Sequence, residues 1–423
     1  MRPSTVWLGG IRSILILAAA LSLAGALWVM PRSSSWFGSW KQALDFAAGA
    51  PAFIGPVAAG AACLAYARMR RSAMSDIMLQ DARDWWRWLR PATTVWVVAV
   101  LVLLGLAATT TTIATMAGVP SYWQTSWILL PAVAVLGAQV AIGAAVGFRT
   151  GRLWTAPLVV AGVYSIFLLT ASLLIPDIFG TGGVTGPLAG ERFVPSGVLP
   201  PALVAVGVVV VATVAAHRTM FFATWPRRGI AVLGVAALAV GWSIAPNSND
   251  PRYEPVADPT LTCAGSAPEV CVFEETPRPL ADLTRRVAQQ VVALHEVRAD
   301  VPTRFVQSIA GWTTGPTDGV VTLVGDQDVS TTVDDKAATD TLVTPAACPA
   351  DYSSAPPYAA LDARHLMGRW IQVRVGLRTP RADDSDRVWL TGDADGQEEW
   401  IRTTYHYLRS CEFEKIQMPS GVG

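Results

Sequence analysis

Apolar residues form long unbroken runs in the first 245 positions and become periodic and sparser after them. A membrane-spanning helix needs about 20 mostly apolar residues to cross roughly 30 Å of hydrocarbon. One such run is also typical of a buried core helix, but seven in succession predict a polytopic α-helical membrane domain. The predicted spans are 13–30, 46–67, 91–116, 127–148, 154–174, 197–216 and 229–245.

The first run also has features of a signal peptide. Arg2 and Arg12 lie ahead of its centre, and the small residues 24–26 resemble a cleavage site. The run continues through Met30, and further apolar runs follow it. We therefore interpret it as the first span, and its cleavage would leave the later topology unchanged.

Basic residues are distributed unequally between the segments that join the spans. Counted in alternate segments from the N-terminus, one set carries 13 arginines and the other set carries three basic residues. Because cytoplasmic segments carry the excess of Lys and Arg, the N-terminus is predicted to be cytoplasmic. Seven spans then place residues 246–423 outside the cytoplasm.

Charge separates the 423-residue chain into two parts. Residues 1–245 contain 16 basic residues (Lys and Arg) and 6 acidic residues (Asp and Glu). Residues 246–423 contain 16 basic and 26 acidic residues, so the first part is basic and the second is acidic. The pattern predicts a transmembrane helical domain at 1–245, a Pro- and Asp-rich linker at 246–260, and a soluble domain at 261–423. The acidic balance of the last part disfavours nucleic acid as a partner, because phosphates would repel it.

Four of the five cysteines lie in the predicted soluble domain: Cys263, Cys271, Cys348 and Cys411. An even number is typical of disulfides in an oxidising compartment, and three pairings remain open. Spacings of 8, 77 and 63 residues differ from those of zinc sites. The fifth, Cys63, is interpreted as a small buried hydrophobe.

The interiors of the predicted spans contain no Asp, Glu, Lys, Arg or His. Ion-driven transporters generally need ionisable groups at membrane depth, so a proton- or sodium-driven pump is disfavoured. Either a partner supplies energy or the membrane part is a scaffold. Gly143 and Gly147 form a G-x-x-x-G pattern that predicts close helix packing.

The segment 67–91 has a basic amphipathic pattern. Trp85, Trp86 and Leu89 fall on one helical stripe, and Arg83 and Arg87 fall outside it. Such a helix is typical of the cytoplasmic membrane interface, where it anchors the chain. The alternative interpretation is a coupling helix that docks onto a cytosolic motor subunit.

The polar part of the chain predicts a mixed α/β, or α+β, domain. Helices are expected at 279–298, 358–375 and 397–409, and a strand at 319–325. No hydrolase or metalloprotease motif is present, and His295, His365 and His406 are interpreted as ordinary, partly buried side chains. The residues before Gln397 are interpreted as a turn and helix cap. No catalytic activity, metal or cofactor is therefore predicted, and the chain has no P-loop.

Three segments carry a family resemblance: the basic loop 68–90, the stretch from Cys263 to CVFEE, and QEEWIRTTYHYLRSC at 397–411. With them the chain resembles type-2 ABC exporter permeases, and more closely actinobacterial permease-like proteins that have an uncharacterised exported C-terminal domain. The FEE at 273–275 departs from the family's pattern, so the resemblance implies no metal or catalytic role. Type-2 permeases commonly have six spans and a cytosolic C-terminus, from which this chain also departs.

The resemblance implies a permease-like subunit of an ABC-type export system in the cell membrane. A separate cytosolic P-loop ATPase would drive it, the exported domain would handle substrate or gate release, and pairing into a homo- or heterodimer is left open. The alternative is a membrane-anchored extracytoplasmic binding or sensing module with the spans as scaffold. An exported hydrolase is the least supported hypothesis, because its motifs are missing.

Overall fold

A computed structural model describes most of the chain in two compact units. The first comprises Met1–Met116, Ser121–Val184 and Phe193–Glu254, and the second comprises Ala117–Pro120, Thr185–Arg192 and Pro255–Gly423. Within these units the described residues are 11–32, 36, 39–71, 85–116, 119, 121–171, 181–183, 188–194, 197–216, 225–244, 252–275, 280–307, 317–321, 335–346, 348, 358–381 and 385–419.

The first unit is a helical bundle. Its helices are α1 (Ile11–Val29), α2 (Trp40–Ala48), α3 (Pro51–Arg71), α4 (Trp85–Met116), α5 (Leu129–Thr150), α6 (Thr155–Ala171), α7 (Leu199–Ala216) and α8 (Trp225–Ile244). All except the short α2 correspond to the seven apolar runs of the sequence.

Five described helical stretches are long and apolar enough to cross a membrane: Ile11–Val29, Trp40–Arg71, Leu89–Met116, Thr125–Thr150 and Leu199–Ala216. The apolar helices Thr155–Thr170 and Gly229–Ile244 are shorter. The prediction of a mainly helical membrane protein is confirmed at this level.

Two predicted spans begin earlier in the structure than in the sequence pattern. Helix α2 precedes α3 and extends the second apolar stretch back to Trp40. Helix α4 starts at Trp85 and continues through Pro91, so the last seven residues of the predicted amphipathic segment and the third span share one helix of 32 residues. Membrane helices accept such a proline because neighbouring groups satisfy the freed backbone carbonyl.

Helices α3 and α5 run parallel and in close contact. A Cβ atom on Gly143 would lie 2.0 Å from the carbonyl oxygen of Ala59, and one on Gly147 would lie 2.2 Å from that of Cys63. Gly143 and Gly147 are four residues apart in α5, and Ala59 and Cys63 are four residues apart in α3. The two contacts follow one another in the same order along both helices, so the helices are parallel. The G-x-x-x-G face is therefore occupied by α3 of the same chain.

Helix α6 runs antiparallel to α3. The thiol of Cys63 lies 3.4 Å from the hydroxyl of Thr155, and Val160 packs against Gly60, so the order of the contacts is reversed. Cys63 is buried and reduced, as its interpretation as a small apolar residue requires.

Helix α8 is in turn antiparallel to α7, since Gly241 packs against Val204 and Gly234 packs against Val210. Helix α7 has the direction of α5, because buried residues near the starts of both helices form one cluster and the ends of both meet at Arg149. The apolar helices α3, α5 and α7 thus share a direction, and α6 and α8 oppose it.

The bundle has two chemically different ends. At the end that we call the arginine end, Arg71 Nε donates to the carbonyl of Gly151 at 2.8 Å. Arg149 Nε donates to the carbonyl of Ala215 at 2.5 Å. This end gathers the C-terminal ends of α3, α5 and α7.

The opposite end, which we call the aspartate end, gathers different segments. The indole of Trp28, at the C-terminal end of α1, donates to the carbonyl of Phe46 at 2.9 Å. The hydroxyl of Thr181, beyond α6, donates to the carbonyl of Ala48 at 2.5 Å. Since α1 and α6 finish here while α3, α5 and α7 finish at the arginine end, helix direction alternates along the chain.

The second unit is an α+β fold. Its strands β3 (Leu261–Ala264), β4 (Glu269–Phe273), β5 (Arg304–Gln307) and β6 (Gly319–Val321) form a sheet in that order. The short strands β1 (Glu191–Phe193) and β2 (Tyr253–Pro255) form a separate two-stranded sheet. Strands β3 and β4 are antiparallel, whereas β4, β5 and β6 are parallel. Its helices are α9 (Leu280–Glu296), α10 (Asp335–Leu342), α11 (Tyr358–Arg374), α12 (Arg387–Leu390) and α13 (Ala394–Arg409).

One hydrophobic core joins the helices of the second unit to the sheet. Helix α9 contributes Leu283, Val287 and Leu294, and α13 contributes Ile401 and Tyr405. These apolar residues recur every three or four positions, which is the pattern that predicted both helices. The helices at 280–296, 358–374 and 394–409 lie where the sequence placed them.

Candidate functional site: a buried carboxylate

Helix α2 carries charged residues into the interior of the bundle. All nine of its residues are buried. The helix begins after Ser39, whose side chain accepts a hydrogen bond from the Gln42 backbone N–H. Lys41 and Asp45 lie one helical turn apart, so their side chains occupy neighbouring positions on the helix.

Asp45 is the centre of the arrangement. Its side chain is 1% exposed. The hydroxyl of Tyr253 donates a hydrogen bond to Oδ1, and the backbone N–H of Gly183 donates to Oδ2 at 2.7 Å. Each carboxylate oxygen therefore has a donor, which offsets the cost of removing the charge from water.

The donor at Gly183 depends on a close approach of backbone to backbone. The N–H of Gly183 also lies 3.0 Å from the Asp45 carbonyl, and Gly183 has φ +86°. A Cβ atom on Gly182 would lie 2.0 Å from the same carbonyl. Only glycine at positions 182 and 183 allows this segment to approach the backbone of α2 so closely.

Three separate parts of the sequence meet at this carboxylate. Asp45 follows the first predicted span, Gly183 follows the fifth and Tyr253 follows the seventh. In addition, the Lys41 Nζ lies 5.9 Å from the centre of the Tyr122 ring, which follows the third. The segments of Lys41 and Asp45, of Tyr122 and of Gly183 belong to the set that carries few basic residues, and Tyr253 begins the segment after the seventh span. The site therefore joins segments predicted to share one side of the membrane.

Helix α4 also reaches α2. The hydroxyl of Thr110 lies 3.2 Å from the carbonyl oxygen of Ala43 and 3.1 Å from that of Ala107 in its own helix, so its single proton is shared between α2 and α4. Thr110 belongs to the helix that begins at Trp85 at the other end of the bundle, where Leu89 and Thr213 of α7 line a common groove.

A second polar group lies inside the bundle, between α3 and α5. The side chain of Gln139 is 2% exposed, and its Oε1 accepts no hydrogen bond from any residue that the structure describes. It packs against Gly55, where a Cβ atom would overlap it. The Gln139 amide occupies the space that a side chain at position 55 would otherwise fill.

Four of the five predicted docking residues belong to the start of α4. Arg83 lies outside the described residues, as do the side chains of Trp85, Trp86 and Arg87, while the described side chain of Leu89 is half-buried. The backbone places residues 85–89 in one continuous helix with the third span. Docking onto a cytosolic subunit stays a prediction.

The four cysteines of the second unit form two disulfides, Cys263–Cys271 and Cys348–Cys411. The prediction of two disulfides is confirmed, and the structure chooses one of the three open pairings. The first joins the neighbouring strands β3 and β4, at a register in which the two cysteines face each other. Among the described residues, the only group of three potential metal ligands consists of this cystine and Glu269. Because the two sulfurs are bonded to each other, they do not act as thiolate ligands.

The other polar residues singled out in the second unit do not converge. Asp393 caps α13 by accepting from the backbone N–H groups of Asp395 and Gly396, so the predicted helix cap is confirmed. The three histidines, His295, His365 and His406, are exposed on three helices rather than partly buried. Each occupies the solvent side of an amphipathic helix, and among the described residues they form no metal-binding group.

Burial alters the acidity of two groups of this unit. Burial raises the pKa of the Tyr405 phenol and lowers the pKa of the Arg364 guanidinium. Arg364 lies 5.7 Å from the centre of the Phe413 ring. Both groups lie in or beside the hydrophobic core, so we assign them to packing.

Sequence reasoning missed Asp45 because it lies one position before the predicted second span. A signal was nevertheless present: Asp45 is the only acidic residue among the first 75, and no charged residue follows it until Arg68. The partners could not have been found this way, because Gly183 and Tyr253 are far away in the chain.

Comparisons with family models, with curated proteins and with solved structures find no match to this chain. The functional argument therefore depends on the residues themselves.

Proposed function

We propose that the chain is a seven-pass membrane protein with its N-terminus in the cytoplasm and its second unit on the extracytoplasmic side. Alternating helix direction supports seven crossings, since each apolar helix, including the two short ones, connects opposite ends of the bundle. The arginine end has the composition of a cytoplasmic face. The two disulfides of the second unit suit an oxidising compartment.

We further propose that the protein acts as the permease-like subunit of an ABC-type export system, with a separate cytosolic ATPase as its partner. One observation carries this proposal: α4 begins in the segment predicted to dock a cytosolic subunit and contacts α2 at Thr110. A 32-residue helix spans about 48 Å, which exceeds the hydrocarbon thickness. It can therefore connect an ATPase on one side to a latch on the other.

Asp45 and its donors form that latch. In the closed state, the contacts of Asp45 with Gly183 and Tyr253 hold together three segments at the aspartate end. Export requires an alternative state in which these contacts are released, and nucleotide binding by the partner would bias the equilibrium between the two states. The exported unit would handle the substrate or gate its release.

The test begins with the full chain purified from its native membrane. We expect a P-loop ATPase without spans of its own to co-purify, and we expect the double substitution Trp85→Glu/Trp86→Glu to abolish the association. Trp154→Glu is the matched control, because Trp154 is an exposed tryptophan near the arginine end. Absence of such an ATPase, or its retention by the double variant, would contradict the proposal.

A second function is favoured by the independent core of the second unit. A membrane-anchored extracytoplasmic binding or sensing module needs a folded domain and an anchor but no motor. In that case no ATPase co-purifies, and Asp45→Asn alters the stability of the bundle without any effect on coupling. The co-purification experiment therefore separates the two functions.

A further inference from the structure

A lateral groove of about 390 Å³ lies between α4, α5 and α7 of the bundle. Its walls consist mainly of alanine and valine, with Gly137 at one side and Leu89, Trp96 and Thr213 toward its ends. Val206 and Val209 are exposed, so the groove opens on the outer surface of the bundle.

The polar atoms in the wall are engaged within the bundle. The Thr93 hydroxyl donates to the carbonyl of Arg90, the Thr213 hydroxyl donates to that of Val209, and the Trp96 indole donates to the carbonyl of Val133 at 3.1 Å. The groove therefore presents an apolar surface, which a hydrocarbon ligand matches better than a polar one.

The length of the groove suits a lipid acyl chain. Its lining on α5 extends from Val133 to Ala144, which is about 16 Å at the helical rise per residue. A large part of one hydrocarbon chain can therefore lie along its apolar walls.

One mouth of the groove lies at the arginine end. Leu89 is followed by Arg90, which is exposed and makes no ion pair with any residue that the structure describes. Thr213 lies two residues before Ala215, whose carbonyl accepts from Arg149, and Arg149 is also exposed. Two guanidinium groups therefore belong to the helices that form the groove, at the mouth where a lipid head group would lie.

We propose that this groove is a binding site for an anionic phospholipid, with one acyl chain between α4, α5 and α7 and the phosphate at Arg90 and Arg149. Basic pockets between membrane helices recognise anionic head groups through this chemistry. The proposal depends on the bilayer location of the bundle and not on the ATPase partner. Its failure would leave the co-purification result unaffected.

The test compares two lipids with identical dioleoyl chains, phosphatidylglycerol and phosphatidylcholine, added to the full chain in detergent and counted by native mass spectrometry. We expect phosphatidylglycerol to bind more tightly. Arg90→Gln and Arg149→Gln should each weaken it about fivefold, the effect of one arginine near an anionic membrane surface. Phosphatidylcholine binding should change little.

Arg152→Gln is the matched control, since Arg152 is exposed at the same end and packs near Trp154 rather than the groove. An equal loss of phosphatidylglycerol in this variant would indicate diffuse charge attraction and overturn the proposal. Unchanged binding by the Arg90 and Arg149 variants would overturn it as well.

A second variant tests the acyl chain. Ala141→Phe places a ring in the groove and should reduce binding of both lipids, while the melting temperature without added lipid shows whether the bundle remains folded. If the folded variant binds both lipids as before, the groove is not the site. Competition by soluble glycerol phosphate would show a head-group site without the chain, which also contradicts the proposal.

Discussion

The hydroxyl of Tyr253 donates a hydrogen bond to the carboxylate of Asp45, which lies 208 positions earlier in the chain. Tyr253 follows the last apolar helix of the bundle and Asp45 precedes the second predicted span. The bond therefore closes the bundle at the aspartate end. It also connects the charged residue that the span pattern overlooked to the segment that leads into the second unit.

Tyr253→Phe should destabilise the bundle, because it removes a donor from a buried carboxylate. Hydrogen bonds to charged groups contribute about 1.5–3 kcal/mol, and we expect a loss in this range in the thermal unfolding of the full chain in detergent. Tyr164→Phe is the control, since that ring packs against Phe53 and Phe167. Equal effects of the two substitutions would show that the hydroxyl of Tyr253 has no special role.

Gly143→Ala should separate α3 from α5, because the new Cβ atom would lie 2.0 Å from the carbonyl oxygen of Ala59. Overpacking of this kind costs about 1–3 kcal/mol. Gly162→Ala in α6 is the matched control: no heavy atom lies within 4 Å of its Cβ position. That variant should gain up to about 1 kcal/mol from helix propensity. Melting temperatures that shift in the same direction would contradict the packing at Gly143.

The two disulfides should differ in their contribution to the stability of the second unit. Closing a loop reduces the entropy of the unfolded chain by more when the loop is longer, and the two separations are 63 and 8 residues. In this model Cys348–Cys411 contributes about 4 kcal/mol and Cys263–Cys271 about 2.5 kcal/mol. Chemical unfolding of the two paired Cys→Ser variants of the full chain measures both, and the reverse order would reject the loop-entropy explanation.

Arg369→Ala should leave the buried carboxylate of Asp386 without its cation. Asp386 is fully buried, and Arg369 Nε lies 2.9 Å from its Oδ2. Loss of one partner of a buried pair costs about 3–5 kcal/mol, which we reduce to about 2 kcal/mol because the arginine is partly exposed. Arg402→Ala breaks the exposed pair with Glu399 and should cost less than about 1 kcal/mol. Similar midpoints for both variants in urea unfolding would argue against the buried pair.

The proposed topology predicts which introduced thiols a membrane-impermeant maleimide can reach in intact cells. In a Cys63→Ala background, Asp258→Cys should react from outside, whereas Arg152→Cys should react only after permeabilisation. The native cystines are oxidised and do not compete. Labelling of both positions from the same side would require an even number of crossings between them and would overturn the orientation of the second unit.

Periodicity was sufficient for the helices because it depends on local residue spacing. The core face of α9 is determined by Leu283, Val287 and Leu294, which recur at three- and four-residue intervals whatever they pack against. The helix cap at Asp393 could be predicted for the same reason, since the backbone N–H groups that its carboxylate accepts from are within three residues of it. The interpretation of His295 as partly buried was wrong, because it follows Leu294 directly and is turned about 100° from it around the helix.

The division into an apolar helical part and a polar part with mixed helices and strands could be derived from residue order alone, because burial in lipid requires long uncharged runs and seven of them follow one another. The burial of Asp45, the packing of Gly143 against Ala59 and the pairing of Cys348 with Cys411 became visible only in the folded chain. Each of these depends on two segments meeting in space. Their separation along the chain leaves no periodic pattern, since the energy of such a contact arises only when the backbone has brought both groups together.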